Sequence, residues 1–173
     1  MTSGEGGGAT PEAVDPWRYR QAIGRFATGV AVVTTTAGGH DHAMTVNSVT
    51  SVSLDPVLVL VCAEVDGRWL EAVEEAGVWG LSVLPAQSRG TAEWLSSPGR
   101  PLHGQLDRVP YHRGEHTGVA LLDGALAALE CRTEAIHPAG DHGIVVGRVL
   151  SVHTPERAGA ALVHFRGRYG VLP

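Results

Sequence analysis

The chain has 173 residues, of which 43% are hydrophobic and 18% charged, and its formal net charge is -5. This composition indicates one globular domain with a real core and excludes a disordered chain. The acidic balance, with no basic stripe, argues against a nucleic-acid-binding protein. No apolar run approaches the roughly 20 residues of a membrane span, and the polar, Gly-rich start lacks the apolar segment of a signal peptide, so we expect a cytoplasmic protein.

The first part of the chain predicts a tail followed by a helix. Residues 1–14 are rich in Gly and polar residues and predict a flexible tail. Asp15 is a plausible N-cap, and Tyr19 and Ile23, four residues apart, lie on one apolar helix face. Gly29 is the expected end of this helix.

Three strands are predicted next: "VAVVTTT" at 30–36, "MTVNSVTSVSL" at 44–54 and "VLVLVC" at 57–62. The Gly-flanked "HDH" between the first two predicts a solvated hairpin turn, which is favoured over a metal site because nothing fixes a third ligand. The second strand alternates apolar and polar residues but slips at residues 48–50. The third is a continuous apolar run, typical of a strand buried on both faces.

The middle of the chain predicts a helix, a strand, a short helix and a long loop. The segment "GRWLEAVEEAG" places Trp69, Leu70 and Val73 on one stripe, and Gly77 is its expected end. The segment "VWGLSVL" predicts a strand and "SRGTAEWL" a short helix. Residues 96–119 are loop-like, and loops of that length are usually lids or binding segments.

The last third is rich in strand-forming residues. The segments "ALAALECRTEAI" and "HGIVVGRVLSVH" predict two long strands joined by "HPAGD", and "ALVHFRGRYGVL" predicts a final strand. Strands in mostly hairpin order with helices at the periphery predict a mostly β fold, a closed antiparallel barrel. Cys62 and Cys131 lie in apolar strand-like runs and are expected to be buried thiols.

Few segments indicate chemistry on their own. No G-x-G-x-x-G motif lies between a strand and a helix, and Walker A and G-x-S-x-G motifs are absent. Because the chain has no Lys, a phosphate ligand would be held by Arg, hydroxyl or backbone N–H groups. Each Arg in "SSPGR" and "FRGRY" is expected at the surface.

The segment "PAGDH" at 138–142 leads into a long apolar strand. From the residues alone, a structural turn is favoured over a functional His142. Strand alternation places His142 on the same face as Ile144 and Val146, which we expect to point into the barrel.

The strand at 44–54 has an unusual polar face. Thr45, Asn47, Ser51 and Ser53 are polar, but none is charged, although the strand precedes a core-forming run. Taken alone, a solvent-facing strand is the better interpretation.

Four blocks in a fixed order change that interpretation. They are "RFATGVAVVTT", "HAMTVNSVTSVSLDPVLVLVC", "LLDGALAALECRTEAIHPAGDHGIVVGRVLSV" and "HFRGRYGVL". From about Tyr19 to the C-terminus, the chain resembles the flavin reductase family of short-chain NAD(P)H:flavin oxidoreductases. The resemblance implies a flavin-binding split β-barrel over residues 15–173, usually a homodimer. It also implies reduction of free FAD or FMN by NADH for a separate flavin-dependent oxygenase.

The resemblance also implies binding residues. The matching positions are Thr28, Gly29, Thr45, Val46, Asn47, Ser48, Ser51, Ala63, Arg68, Trp69, Gly140, Asp141, His142 and Tyr169. Residues 45–48 match the segment along the flavin ring, and Ser51 matches a position near the ribityl-phosphate arm. Residues 63–69 match the phosphate side, residues 140–142 the nicotinamide-nucleotide motif, and Tyr169 an aromatic residue near the stacked cofactors.

Two departures from the family pattern concern the phosphate side. The chain has "RPLHG", with Leu102 at a position that is often aromatic, and "DGRW" where many members have Arg-Ser. The alternatives are an FMN-dependent oxidase of the pyridoxamine-oxidase type and a non-enzymatic flavin- or heme-binding module. The absence of Lys counts against the first, and the "GDH" block counts against the second.

Overall fold

The computed structural model describes residues 13–156 and 159–173, so most of the predicted tail at 1–14 lies outside the described residues. Helix α1 (Pro16–Ile23) begins as predicted, because the Asp15 side chain accepts a hydrogen bond from the Trp17 N–H at 3.0 Å. It ends at Ile23 and not near Gly29, which lies in a strand. Its predicted apolar face is not packed on this chain, since Tyr19 is 58% exposed and Ile23 50%.

The described residues form a mostly β fold with three α-helices. The other helices are α2 (Arg68–Ala76) and α3 (Arg89–Ser96), which follows a short 3-10 turn at Ala86–Ser88. The strands are β1 (Thr28–Gly29), β2 (Ala31–Ala37), β3 (His40–Val46), β4 (Thr50–Leu54), β5 (Val57–Glu64), β6 (Val78–Val83), β7 (Tyr111–Arg113), β8 (Ala120–Leu122), β9 (Ala127–Ala139), β10 (His142–His153), β11 (Ala161–Phe165) and β12 (Arg168–Leu172). No helix among these is long and apolar enough to cross a membrane.

Seven strands form one antiparallel sheet in the order β3-β2-β6-β9-β10-β5-β4. Strands β3 and β4 follow one another in the chain but occupy the two edges of this sheet. A second sheet has the order β1-β11-β12, and β7 pairs with β8. The chain therefore crosses from one edge of this sheet to the other between Val46 and Thr50.

One face of the large sheet packs against α2. Trp69, Leu70 and Val73 of α2 join a buried cluster with residues of β2, β3, β5, β6, β9 and β10. Gly147 of β10 is required there, because a Cβ atom would lie 2.4 Å from the ring of the buried Trp79. Gly77 ends α2 in the left-handed conformation, as predicted.

The other face, at β2 and β3, forms a second core with α3, the loop after it, β8 and β11. Its buried residues include Val30, Leu84, Leu95, Leu122 and Leu162. Because both faces of β2 and β6 are covered, these strands are buried almost throughout. The two cores fix β3 between them, and β3 lines the clefts described below.

Several predictions of local structure were wrong. The turn after β2 is only Gly38–Gly39, both with positive φ, so "HDH" lies in β3 and not in a solvated turn. Residues 44–54 form parts of two strands, since the slip at 48–50 is the crossing between sheet edges. Strand β5 buries one face only. The C-terminal segment is a hairpin of β11 and β12 and not a single strand. Strand β7 lies inside the segment that was predicted to be one long loop.

The prediction for β10 had the right hairpin but the wrong face. Strands β9 and β10 pair around a two-residue turn in which Gly140 has a φ of 67°. The core face of β10 carries Gly143, Val145 and Gly147, so Ile144 and Val146 face away from the core with His142. Glycines on the inner face, which make room for Leu70 and Trp79, concealed this alternation in the sequence.

Candidate functional site

Strand β3 contributes to two neighbouring clefts. The large cleft, of about 430 Å³, includes residues 42–44 in its wall. The small cleft, of about 120 Å³, includes residues 45–47. Met44 and Thr45 are consecutive, so the two clefts lie along adjacent stretches of the same strand. From Met44 to Asn47 a strand advances by about 10 Å, so an elongated molecule can contact both clefts.

Neutral polar and aromatic side chains line the small cleft. His164 of β11 and Tyr169 of β12 are opposite one another in their hairpin, with ring centroids 5.8 Å apart in an edge-to-face arrangement. Asn47 Nδ2 lies 3.4 Å from His164 Nδ1. The Thr45 hydroxyl donates to the Ala92 carbonyl of α3 at 2.8 Å, which leaves its lone pairs free to accept. The cleft therefore offers uncharged donors and acceptors.

The strand β1 brings Thr28 close to this cleft. Thr28 is paired with His164 across β1 and β11, and Gly29 is paired with Val163. The Thr28 Oγ1 atom is buried and has no hydrogen-bond partner among the described residues. A buried hydroxyl without a partner is costly, so this atom is suited to a polar ligand or water.

Two predicted residues next to the small cleft have other surroundings. The Ser48 Oγ accepts from the Cys62 N–H at 2.9 Å and donates to the Cys62 carbonyl at 3.2 Å. This hydroxyl therefore hydrogen-bonds to the backbone of β5. Ser51 lies on the exposed edge strand β4, opposite Val59, and is in neither cleft wall. The crossing between the sheet edges separates Ser51 from the other predicted residues.

Two arginines supply the positive charge of the large cleft. Arg68 Nη2 donates to the Arg100 carbonyl at 3.0 Å, and the Arg100 guanidinium donates to the carbonyls of Ser97 and Ala43 at 2.8 and 3.1 Å. Burial and, second, the positive charge of Arg68 lower the pKa of Arg100. An anion between the two guanidinium groups would relieve both effects.

The start of α2 adds backbone donors to this cleft. Its N-cap, Gly67, has no side chain to satisfy the first N–H groups, which are therefore available to an anion. Ala63 and Trp69 are in the cleft wall although both belong to the buried core. Three buried nitrogen atoms of cleft residues lack partners among the described residues: His42 Nδ1, Trp69 Nε1 and Arg100 Nε. The uncapped backbone N–H groups at the start of α2 suit a phosphate-bearing ligand.

The turn at residues 140–142 borders the large cleft. The Asp141 carbonyl accepts from the Val65 N–H at 3.0 Å, which fixes the turn to the loop after β5. His142 is in the cleft wall, and its Nδ1 lies 2.7 Å from the Asp141 carboxylate. This hydrogen bond is the largest cause that lowers the pKa of Asp141. The pairing uses Nδ1, and among the described residues Nε2 has no hydrogen-bond partner, so it is the ring nitrogen left for a ligand.

The structure thus divides the predicted residues between two clefts that both border strand β3. Those at or beside the small cleft are Thr28, Thr45, Val46, Asn47 and Tyr169, and those at the large cleft are Ala63, Arg68, Trp69 and His142. Ser51 is in neither cleft wall, and the Ser48 hydroxyl is hydrogen-bonded to β5. Gly29, Gly140 and Asp141 also line neither cleft, but they belong to the backbone segments that position Thr28 and His142.

Sequence reasoning missed His42, Arg100 and His164. Arg100 was expected at the surface, but its guanidinium is partly buried in the loop that precedes Gln105. This loop is fixed to β3 because the buried Gln105 Oε1 accepts from the Ala43 N–H at 3.1 Å. Nothing in the local sequence indicated that contact. For His42 the signal was present, but the segment was interpreted as a turn.

The aspartate of the "HDH" segment forms an ion pair with Arg113. Asp41 accepts from both terminal nitrogens of Arg113 at 2.7 and 2.8 Å and from Thr36. Burial raises the pKa of Asp41, but the hydrogen bonds from Arg113 and Thr36 outweigh it and lower the pKa below its ordinary value. Within residues 13–156 and 159–173, no group of three or more His, Cys, Asp or Glu has a metal-binding arrangement.

Comparison with known proteins identifies relatives of this architecture. Residues 23–173 match the family described as "Flavin reductase like domain". The chain is 44% identical over 156 residues to the NADH-dependent FMN reductase AsuE2 of Streptomyces nodosus subsp. asukaensis, covering 89% of this chain and 83% of that protein. It is 32% identical over 168 residues to HsaB, the reductase subunit of a flavin-dependent monooxygenase of Rhodococcus jostii (strain RHA1), covering 96% and 84%.

A solved structure has the same fold. BorF, the flavin reductase component of a bacterial two-component tryptophan halogenase, superimposes with a TM-score of 0.86 at 43% sequence identity. The match covers 92% of this chain and 99% of that one. Strand β3 and both clefts lie within residues 23–173, the region that matches the family.

Proposed function

The chain belongs to the flavin reductase family, and from this premise we propose that its two clefts hold the flavin that it reduces with NADH. The activity is that of an NADH-dependent oxidoreductase acting on flavin, FMN or FAD. The observation that carries the placement is that adjacent stretches of β3 line both clefts, with uncharged polar groups in one and two guanidinium groups in the other. The fold would then be the split barrel of this family.

The small cleft would receive the ring end of the flavin. Asn47 and Thr45 offer neutral hydrogen-bonding groups, and the unpartnered Thr28 hydroxyl lies beside them. A long charged side chain would be costly to desolvate against such a ring, which explains the uncharged polar face. Arg68 and Arg100, with the start of α2, would hold the phosphate end in the large cleft. The residues present therefore fit a flavin.

The chemistry is one hydride transfer, in which NADH and a proton reduce the flavin to its two-electron-reduced form and leave NAD⁺. The protein's part is to position the two ring systems and exclude water. We assign His142 to the nicotinamide nucleotide, because its free Nε2 lies at the cleft rim beside a turn that is fixed to β5. Tyr169 and His164 would provide the aromatic wall.

We also propose a homodimer, with the outer face of β4 and β5 in the interface. Strand β4 is an edge strand, and Val52, Leu54 and Val57 are exposed apolar residues on or beside it. An exposed apolar edge strand is an aggregation hazard unless another chain covers it. Strand β6, the other strongly apolar strand, is already buried within this chain and cannot serve a partner.

The reduced flavin would pass to a second protein, a flavin-dependent oxygenase. The reductase subunit and reductase component among the relatives support this proposal. NADH and such an oxygenase both operate in the cytoplasm, where we place the protein.

Assays with NADH and added flavin separate this function from its two alternatives. A flavin reductase oxidises NADH at the nicotinamide absorbance band only when FMN or FAD is present. An oxidase of the pyridoxamine-oxidase type would instead turn over an amine substrate and leave NADH unchanged. A non-enzymatic module would bind flavin, with a change in its fluorescence, and oxidise neither substrate.

A further inference from the structure

Outside both clefts, three arginines surround a third cavity. The arginine pocket has a volume of about 410 Å³ and is lined by Arg20, Gln21, Gly24, Arg25, Arg166 and Gly167. Arg20 lies in the last turn of α1, Arg25 follows that helix, and Arg166 is in the turn between β11 and β12. Two separate parts of the chain therefore direct guanidinium groups to one place.

A backbone contact fixes the two walls of this pocket relative to each other. The Gly24 carbonyl accepts from the Arg166 N–H at 2.8 Å, directly joining the end of α1 to the hairpin turn. Arg166 is the non-glycine residue with positive φ, 51°, in the described part of the chain, and Gly167 follows at 74°. This turn geometry places the Arg166 side chain beside the C-terminal end of α1. The partial negative charge at that end of the helix does not repel a cation.

The charge of the pocket is not neutralised within the described structure. Arg89, Arg113 and Arg148 each form an ion pair with a carboxylate, but none of the pocket arginines has a carboxylate within 4.0 Å among the described residues. In a chain with a net charge of -5, three such guanidinium groups are a local excess of positive charge. Guanidinium groups arranged around a cavity suit a phosphate-type anion, to which they can donate paired hydrogen bonds.

The position of the pocket indicates which phosphate it would bind. His164 precedes Arg166 by two residues and Tyr169 follows Gly167 by two, so each small-cleft residue is about 7 Å along its strand from the pocket. On the other side, the hydrogen bond from His142 and, among smaller effects, the charge of Arg20 lower the pKa of Asp141. The pocket thus lies within reach of both the ring wall and the turn that carries His142.

We propose that the arginine pocket binds the diphosphate of the nicotinamide dinucleotide. This inference rests on the proposed function, which brings NADH to the neighbouring cleft, and assigns the part of NADH that lies away from its reacting ring. The flavin phosphate is assigned to Arg68 and Arg100 in the large cleft, so the two anionic groups would have separate arginine sites. Discrimination between donors would then depend on α1 and the C-terminal hairpin.

The test uses the full chain with Arg20→Ala, Arg25→Ala and Arg166→Asn, the last because Asn tolerates a positive φ. Arg18→Ala, an exposed arginine of α1 outside the pocket, is the matched control. Two quantities are measured: the KM for NADH in the flavin reductase assay, and the Kd of ADP-ribose by calorimetry, which needs no turnover. ADP-ribose carries the diphosphate without the nicotinamide ring.

We expect each pocket variant to raise both quantities by about threefold to tenfold, with the KM for flavin unchanged and Arg18→Ala behaving as wild type. An active wild type whose variants keep the same KM for NADH and Kd for ADP-ribose would overturn the inference and leave the proposed function intact. Unchanged NADH kinetics with slower transfer of reduced flavin to an oxygenase would also overturn it, by assigning the arginines to a partner. An inactive wild type that binds ADP-ribose through these arginines would support the pocket and contradict the proposed function.

Discussion

The Ser48 hydroxyl hydrogen-bonds both backbone groups of Cys62, accepting from its N–H and donating to its carbonyl. Residue 48 lies where the chain leaves β3 for the opposite edge of the sheet, so this pair fixes the crossing to β5. The residue before it, Asn47, lies in the small cleft. The position of the uncharged polar groups in that cleft therefore depends on a serine that the structure uses for support.

Ser48→Ala should lower the free energy of unfolding by about 1–3 kcal/mol, because both Cys62 backbone groups lose a partner in a half-buried place. The matched control is Ser51→Ala, whose hydroxyl is exposed and should contribute within about 0.5 kcal/mol. Urea unfolding of the two variants measures the difference. Equal stabilities would show that the crossing is held by other contacts.

The ion pair of Asp41 and Arg113 should make stability depend on pH. The pKa of Asp41 is below its ordinary value of 3.8 in the fold, so its contribution is complete above the unfolded-state pKa and is lost as pH falls through the lower folded-state pKa. Asp41→Asn should therefore lower the Tm by about 2–4 °C near neutral pH, equivalent to about 1 kcal/mol at this partly exposed pair.

The Tm difference between wild type and Asp41→Asn should remain constant well above pH 3.8 and shrink as the pH falls from there through the lower folded-state pKa. Thermal unfolding across this range provides the measurement. A difference that grew on acidification would contradict the assignment, since it would require a raised carboxyl pKa.

His142→Ala should raise the KM for NADH by about tenfold to a hundredfold, the cost of one lost hydrogen bond to the nucleotide. The KM for flavin and the Tm should change little, because the imidazole lies at the cleft rim and not in the core. His137→Ala, an exposed histidine on the neighbouring strand, is the control. A variant that loses stability and flavin binding while keeping its KM for NADH would make His142 a structural residue.

Val52→Glu should dissociate the proposed homodimer, because it introduces a charge on the exposed face of edge strand β4. Val152→Glu is the control, since Val152 is also exposed but lies on β10 near its far end. Sedimentation of the three proteins gives the oligomeric state. A wild type that sediments as a monomer and reduces flavin at its full rate would contradict the dimer and its role in the site.

The sequence predicted the long elements well where one hydrophobic period dominates. Helix α2 and the β9–β10 hairpin follow from the Trp69, Leu70 and Val73 stripe and from the turn at residues 140–141. Prediction from the sequence failed where the packing of an element depends on residues far away in the chain. The face of β10 was inverted because Gly143 and Gly147, which look neutral in the sequence, are the inner residues that admit large side chains from α2 and β6.

The residues of the candidate site also divide into those that the sequence could predict and those that it could not. The polarity of Thr45 and Asn47 is unusual for a strand beside the core, but alone it favoured a solvent-facing strand, and only the four blocks of the family resemblance predicted a binding segment. Arg100 could not be predicted, because its place in the large cleft depends on carbonyl acceptors at Ala43 and Ser97 and on the loop fixed by Gln105. Such contacts between residues far apart in the chain leave no local pattern.

The central claim is that flavin is a substrate that the protein reduces with NADH and releases. The most direct measurement is an anaerobic titration of a small amount of dialysed protein with NADH and a large excess of free FMN or FAD. We predict that many equivalents of flavin are reduced per chain, one for each NADH oxidised, with oxidised flavin removed by dialysis. Reduction that stops at one equivalent per chain, with flavin retained through dialysis, would contradict the claim, as would NADH that remains unoxidised.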